Sequence, residues 1–257
     1  MKICSLGSGS KGNSLYIETP KTRLLIDAGF SFSELKNRLF SVGVRLSDIT
    51  AVLITHEHSD HIAGLSGFCG SGVPVFAHTY TAGILKGRFA GLNVAAVTET
   101  PFDLFDLNVA PFRIPHDAVS HLGYRLTHES TVISVATDVG HITESLVAHL
   151  KESDCIVAEF NHDENMLLKG SYPEHLKLRI LGRYGHLSNT AAAELLSLAV
   201  TARTKRVLLA HLSEENNLPE LAFDAAVKAL YRSGFVVGRD LAVEVLKQHG
   251  TSLLSVI

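Results

Sequence analysis

The strand-forming run Ala51-Val52-Leu53-Ile54-Thr55 passes without a break into His56-Glu57-His58-Ser59-Asp60-His61. The first part has the composition of a buried strand, so three imidazoles and a carboxylate are delivered together at one end of a sheet. In extended chain, positions 56, 58 and 60 project to one side because side chains alternate. The chain must then turn, because Ile62-Ala63-Gly64-Leu65 begins a different pattern. His56 and His58 are thereby placed to bind one ion while Asp60 and His61 are carried to a second. Neutral imidazole and carboxylate suit zinc, with manganese or iron as the other candidates. A polar surface turn does not explain these four residues at fixed offsets behind an apolar strand.

The 257 residues suffice for a large core, in one domain or two fused halves. No low-complexity linker, charge block or repeat divides them, so 1–257 is read as a single domain. A content of 46% hydrophobic and 19% charged residues fits a soluble globular chain, and a net charge of -3 excludes a global basic field for nucleic acid. The first ten residues lack the pattern of a secretory signal, and no apolar stretch can span a bilayer, so a cytoplasmic enzyme without membrane contact is expected. Cys4, Cys69 and Cys155 are odd in number and scattered, which argues against a disulfide framework and suits small core residues. The sequence does not specify an oligomeric state.

Strand candidates are Ser14–Glu18, Arg23–Asp27, Ala51–Thr55, Val73–Ala77, Val94–Val97, Asn108–Ile114, Leu122–Thr127, Thr131–Thr137, Cys155–Glu159, Arg206–Ala210 and Leu241–Leu246. Helical patterns cover Ser33–Val42, Glu144–Glu152, Thr190–Thr201 and Glu220–Ser233. Early strands follow one another and later ones alternate with helices, which suits a mixed β-sandwich covered by helices on its outer faces.

The 56–61 run resembles the His-x-His-x-Asp-His signature of the metallo-β-lactamase superfamily, and Leu25-Ile26-Asp27-Ala28-Gly29 resembles its upstream strand and turn. The resemblance implies an α+β, αββα sandwich of two mixed sheets flanked by helices. It also implies three downstream ligands. His116 would complete the first metal site, Asp138 would bridge two divalent ions, and His211 would complete the second. His121 competes with His116 as third ligand, and His116 is preferred. The implied reaction is hydrolysis by a hydroxide shared between the ions, with Asp60 and Asp138 indispensable.

The superfamily hosts several chemistries, so the branch must be read from other residues. Asp138 at the bridging position disfavours the secreted lactamases. Gly185-His186-Leu187-Ser188-Asn189 occupies the place of the histidine loop of the ribonuclease Z family, where His186 would protonate the leaving oxygen. The same loop can cap the next helix through Ser188 or Asn189. Lys169, Lys177, Arg179 and Arg183 crowd the preceding segment, as a patch for a polyanion or as a solvated helix face.

More closely, the chain is similar to the YycJ-type (WalJ/VicX-like) branch. The similarity is carried by Leu6–Ser14, Thr55–His61, His116-Asp117-Ala118 with Gly123-Tyr124, Ala136–Gly140, Glu159–Asp163 with Met166-Leu167, Gly185–Asn189 and Ala210–Asn216. This implies a phosphodiesterase or nuclease, DNA exonuclease-like, acting on nucleic acid or another phosphodiester. Pro115 and His121 depart from the pattern and affect the pocket wall. The chain is too short for the inserted domain of related RNA-degrading nucleases. A thioesterase or lactonase of the same fold, and a metal-stabilised binding module, are the competing readings. Glu159, Asn161 and His162 are expected to support His186 or a ligand, as is Asp27. Gly7-Ser8-Gly9-Ser10-Lys11-Gly12-Asn13 reads as a turn between strands, or as a phosphate cradle.

Overall fold

The computed structural model describes residues 1–257. In the first sheet, β1 (Lys2–Gly7), β2 (Ser14–Glu18) and β3 (Arg23–Ile26) form an antiparallel meander. From β3 onward, β4 (Ala51–Leu53), β5 (Val75–His78) and β6 (Val94–Val97) pair in parallel. Parallel neighbours need crossovers. These contain α1 (Phe32–Ser41), the single turn α2 (Ser59–Ile62) and α3 (Thr79–Arg88). On α1, Leu35 and Leu39 are one turn apart and buried, and the Ser31 hydroxyl caps the helix by accepting from the Glu34 amide.

The second sheet contains β7 (Phe102–Leu104), β8 (Leu107–Arg113), β9 (Leu122–His128), β10 (Thr131–Ala136), β11 (Cys155–Glu159), β12 (Arg206–Ala210) and β13 (Ala242–Val245), in the spatial order 13-12-11-10-9-8-7. β9 and β10 are an antiparallel pair, whereas β10 through β13 are parallel. Their crossovers carry α4 (Glu144–Leu150), α5 (Glu164–Lys169), α6 (Glu174–Leu181), α7 (Asn189–Ala199) and α8 (Pro219–Arg232). A last strand, β14 (Ser255–Val256), returns to pair with β1.

The chain forms two compact units. One contains Met1–Pro111, Ala118–Leu122 and Lys247–Val256; the other contains Phe112–Asp117, Gly123–Leu246 and Ile257. Each has its own core: Leu25, Val52, Ile54, Phe68 and Leu85 belong to the first, and Phe112, Ile156, Phe160, Leu196, Leu209 and Leu230 to the second. No helix is long and apolar enough to cross a membrane.

The expected strands and helices all appear, four strands with the expected bounds and the other ends moved by at most two residues. β1, β7 and β14 are additional, as are α2, α3, α5 and α6. Of these, β7 and β14 are short edge strands, fixed by their neighbours more than by their own pattern. α6 has no buried residue, so no apolar stripe marks it.

Candidate metal centre

In the first unit two residues, Ile54 and Thr55, separate β4 from the histidine run. Asp27 closes β3 with φ 62°, a left-handed conformation that Asp tolerates. There its carboxylate accepts from the Thr55 amide at 2.8 Å, the Thr55 hydroxyl at 2.9 Å and His61 Nδ1 at 2.7 Å. Burial pushes the Asp27 carboxyl up, and His61 and Thr55 oppose that shift. Thr55 Oγ1 lies 3.0 Å from His56 Nδ1. With the Thr55 hydrogen given to Asp27, both His56 and His61 are protonated on Nδ1 and present Nε2 as the coordinating atom.

The turn that carries Asp60 and His61 is clamped by backbone. Asn13 N–H donates to Asp60 O and Ala28 N–H to His61 O, each at 2.8 Å. A Cβ at Gly29 would stand 1.7 Å from Asp60 O, so only glycine fits. Asp60 Oδ2 ends 3.3 Å from His61 Nε2. Strand alternation holds for His56 and His58 but not for Asp60. The helical turn begins at Ser59, earlier than the change of pattern at Ile62 suggests. The His56 ring lies 4.5 Å from that of His58 and 4.1 Å from that of His61.

His121 sits in this unit, its ring 4.5 Å from His56. Glu57 braces its loop by accepting from the Val119 amide at 2.7 Å, and Thr81 Oγ1 lies 3.3 Å from Glu57 and 3.2 Å from Ser120 O.

In the second unit, His116 follows β8, Asp138 follows β10 and His211 follows β12. Asp138 and His211 have φ 56° and 57°. Three of the six non-glycine residues at positive φ are therefore candidate site residues, the clustering expected where surrounding structure imposes strain for function. Asp138 Oδ1 is 3.4 Å from His211 Nε2, 4.0 Å from His116 Nε2 and 3.8 Å from His186 Nδ1.

Glu159, fully buried at the end of β11, organises these groups. Its Oε1 accepts from His186 Nδ1 at 2.8 Å and His211 Nδ1 at 3.0 Å, while Oε2 accepts from the Val139 and Leu187 amides at 2.9 Å. Burial alone would raise this carboxyl, but His186 and His211 outweigh it and hold it below the usual range. His116 Nδ1 faces Gly185 O at 3.1 Å, and burial pushes its imidazole down, towards the neutral form a ligand needs.

These donor sets fit a divalent cation. Ligand atoms about 2.0–2.1 Å from a tetrahedral zinc lie roughly 3.3 Å from one another. Asp60 Oδ2 with His61 Nε2, and Asp138 Oδ1 with His211 Nε2, have that spacing. Asp138, Glu159, His186 and His211 offer donor atoms all within 4.8 Å of one another, although Glu159 is committed to histidine Nδ1 hydrogens.

Asn161 Nδ2 donates to His211 O at 3.0 Å, and its Oδ1 is 3.3 Å from His162 Nδ1. Ser188, not Asn189, caps α7, whereas the Asn189 side chain exchanges two hydrogen bonds with Asn217. On α6, Lys177 Nζ donates to Leu168 O at 2.8 Å and Arg179 pairs with Asp117 at 2.5 Å. Arg183 contributes its carbonyl to His141 Nδ1 at 2.9 Å. Asn13, Thr55, Glu57 and Asp117 touch candidate ligands or their loops, yet nothing in the sequence pattern points to them. Each lies inside or beside a motif, but a loop amide or hydroxyl has no periodic signature.

The profile of the beta-lactamase superfamily domain matches residues 22–212. Exodeoxyribonuclease WalJ of Streptococcus pneumoniae is 36% identical over 250 residues, covering 94% of this chain and 93% of its own. Exodeoxyribonuclease YycJ of Bacillus anthracis is 34% identical over 240 residues, covering 91% and 90%. Among solved structures, the metallo-beta-lactamase fold protein YhfI from Bacillus subtilis superposes with a TM-score of 0.74 at 17% identity, covering 98% of each chain.

Proposed function

Because this chain belongs to the beta-lactamase superfamily, in the branch of the exodeoxyribonucleases WalJ and YycJ, we propose that it is a metal-dependent nuclease that hydrolyses DNA phosphodiesters from an end. The observation that carries this reading is the 36% identity to WalJ, which extends over 94% of the chain and over nearly all of WalJ. The superfamily profile runs through both compact units, which supports one hydrolase domain over 1–257.

His56, His58 and His116 would hold one divalent ion, Asp60, His61 and His211 a second, and Asp138 would bridge them. Zinc is the preferred metal, with manganese or iron as alternatives. When bound, such a pair supplies a water activated near neutral pH and positive charge opposite the phosphoryl oxygens. The chain's own part is orientation. Asp27 and Glu159 present the ligand nitrogens, and Glu159 accepts His186 Nδ1–H, leaving Nε2 to meet the substrate. A proton on that Nε2 is in position to pass to the leaving oxygen. Lys177, Arg179 and Arg183 would attract the phosphate backbone towards this end of the second unit.

End-labelled duplex DNA, single-stranded DNA and RNA, with Mn²⁺ or Zn²⁺, test the reading directly. Progressive loss of the DNA label, abolished by a chelator, is expected. Turnover of S-lactoylglutathione with DNA left intact would overturn the nuclease reading in favour of a thioesterase.

A further inference from the structure

Asn13 closes the glycine-rich loop between β1 and β2, is 5% exposed, and reaches the Asp60–His61 pair within its own unit. The orientation of its amide is determined by chemistry. One end faces the Gly9 N–H at 2.9 Å and the Ser8 hydroxyl at 3.2 Å; a backbone N–H can only donate, so that end is Oδ1. The other end is therefore the NH2 group, a donor only. It meets three acceptors: Gly9 O at 3.0 Å, Asp60 Oδ2 at 3.3 Å and His61 Nε2 at 3.2 Å.

A donor pointed at His61 Nε2 requires a lone pair there. The opposite nitrogen, Nδ1, faces the Asp27 carboxylate at 2.7 Å and requires a hydrogen. The two neighbours agree on one neutral tautomer, the one whose Nε2 can bind a metal. Asp60 Oδ2 and His61 Nε2, two lone-pair-bearing atoms 3.3 Å apart, would otherwise repel each other. One Asn13 hydrogen between them lowers that repulsion and holds both atoms at the edge length a cation needs.

We propose that Asn13 is a positioning residue for the ion held by Asp60 and His61, selecting the ligand-competent tautomer of His61 and keeping its Nε2 beside Asp60 until a cation takes over from the amide hydrogen. The inference rests on the metal-site reading above, and concerns a residue outside the ligand set. It also gives the glycine-rich loop a part in the site. The loop's backbone holds Asn13 Oδ1, so the amide cannot turn its oxygen towards Asp60 without setting like against like at Gly9.

The test combines nitrogen-detected NMR of the histidines in ion-free protein with titration of Mn²⁺ or Zn²⁺ against a chelator of known affinity. In the wild type, His61 is expected to carry its proton on Nδ1. Asn13→Ala, with Asp27 still favouring the Nδ1 hydrogen, should raise the share of the other tautomer above its wild-type level and weaken one of two ion-binding events by about 10- to 100-fold, leaving the other within twofold. Asn13→Asp preserves the acceptor facing Gly9 and turns the donor facing His61 into an acceptor, so a proton should appear on Nε2. Ser10→Ala, on the exposed side of the same loop, should change neither readout.

A wild-type His61 protonated on Nε2 would overturn the proposal without any variant having to fold. Folded variants with unchanged tautomer and unchanged affinities would do the same. A wild type that binds no divalent ion would instead remove the metal-site reading, while the tautomer remains measurable by itself.

Discussion

Two buried carboxylates do similar work in the two units, each receiving a histidine Nδ1–H and at least one backbone amide. Asp27 is 3% exposed and Glu159 is fully buried. Their energetics depend on leaving no donor unmatched, because a buried donor deprived of its partner costs about 1–3 kcal/mol. Asp27→Ala removes the acceptor for Thr55 and His61 together. It should lower stability by about 2–4 kcal/mol in denaturant unfolding and weaken divalent-ion binding by about tenfold or more in calorimetry. His186→Ala is expected to separate chemistry from binding. Metal content by mass spectrometry should match the wild type, while the rate of DNA hydrolysis falls by about 10²–10⁴-fold. An unchanged rate would refute the acid role of His186.

At the scale of elements, strands end where ligands begin, and the tight turns that follow have little room. A Cβ at Gly140, just past Asp138, would stand 2.4 Å from Arg183 O and 2.8 Å from Pro115 O. Gly140→Ala should therefore push apart the segments bearing His116, Asp138 and His186, lowering thermal stability and ion affinity together. The β7–β8 hairpin makes a second, pH-dependent case. Asp106 accepts from the Thr19 and Thr22 hydroxyls at 2.6 Å and from the Lys21 amide at 3.1 Å. Although burial would raise its pKa, these bonds lower it from 3.8 to about 2. A depressed folded-state pKa stabilises the protein above the unfolded value, and that contribution fades as pH falls through the folded one. Asp106→Asn should thus cost about 1 kcal/mol at pH 7, discounted for solvent exposure, and the difference from wild type should vanish near pH 2 in urea unfolding. At this scale the sequence was informative where period and composition agree: β4 is apolar throughout, β11 and β12 are apolar but for Glu159 and Arg206 at one end, and α8 begins at Pro219. α6 and β14 were invisible because neither buries a stripe of its own.

Across the whole molecule, the fold and the ligand candidates were legible because the superfamily's motifs are residues of distinctive chemistry placed just after apolar strands. His56 through His61, His116, Asp138 and His211 could all be named from that pattern. Glu159 and Asp27 are expected from the sequence as supports of His186 or a ligand; what could not be read was that Glu159 serves His186 and His211 at once, that Gly185 O faces His116, and that Asn13 reaches Asp60. Such interactions join positions up to 69 residues apart through loops, and neither periodicity nor spacing encodes them. Seven of these side chains are proposed to hold two cations. Anomalous diffraction from crystals of the zinc-loaded protein tests this most directly. Two peaks are expected, one about 2.0–2.2 Å from donor atoms of His56, His58 and His116, the other at that distance from Asp60, His61 and His211, with Asp138 contacting both. A single peak, or peaks bound elsewhere with these residues uncoordinated, would contradict it.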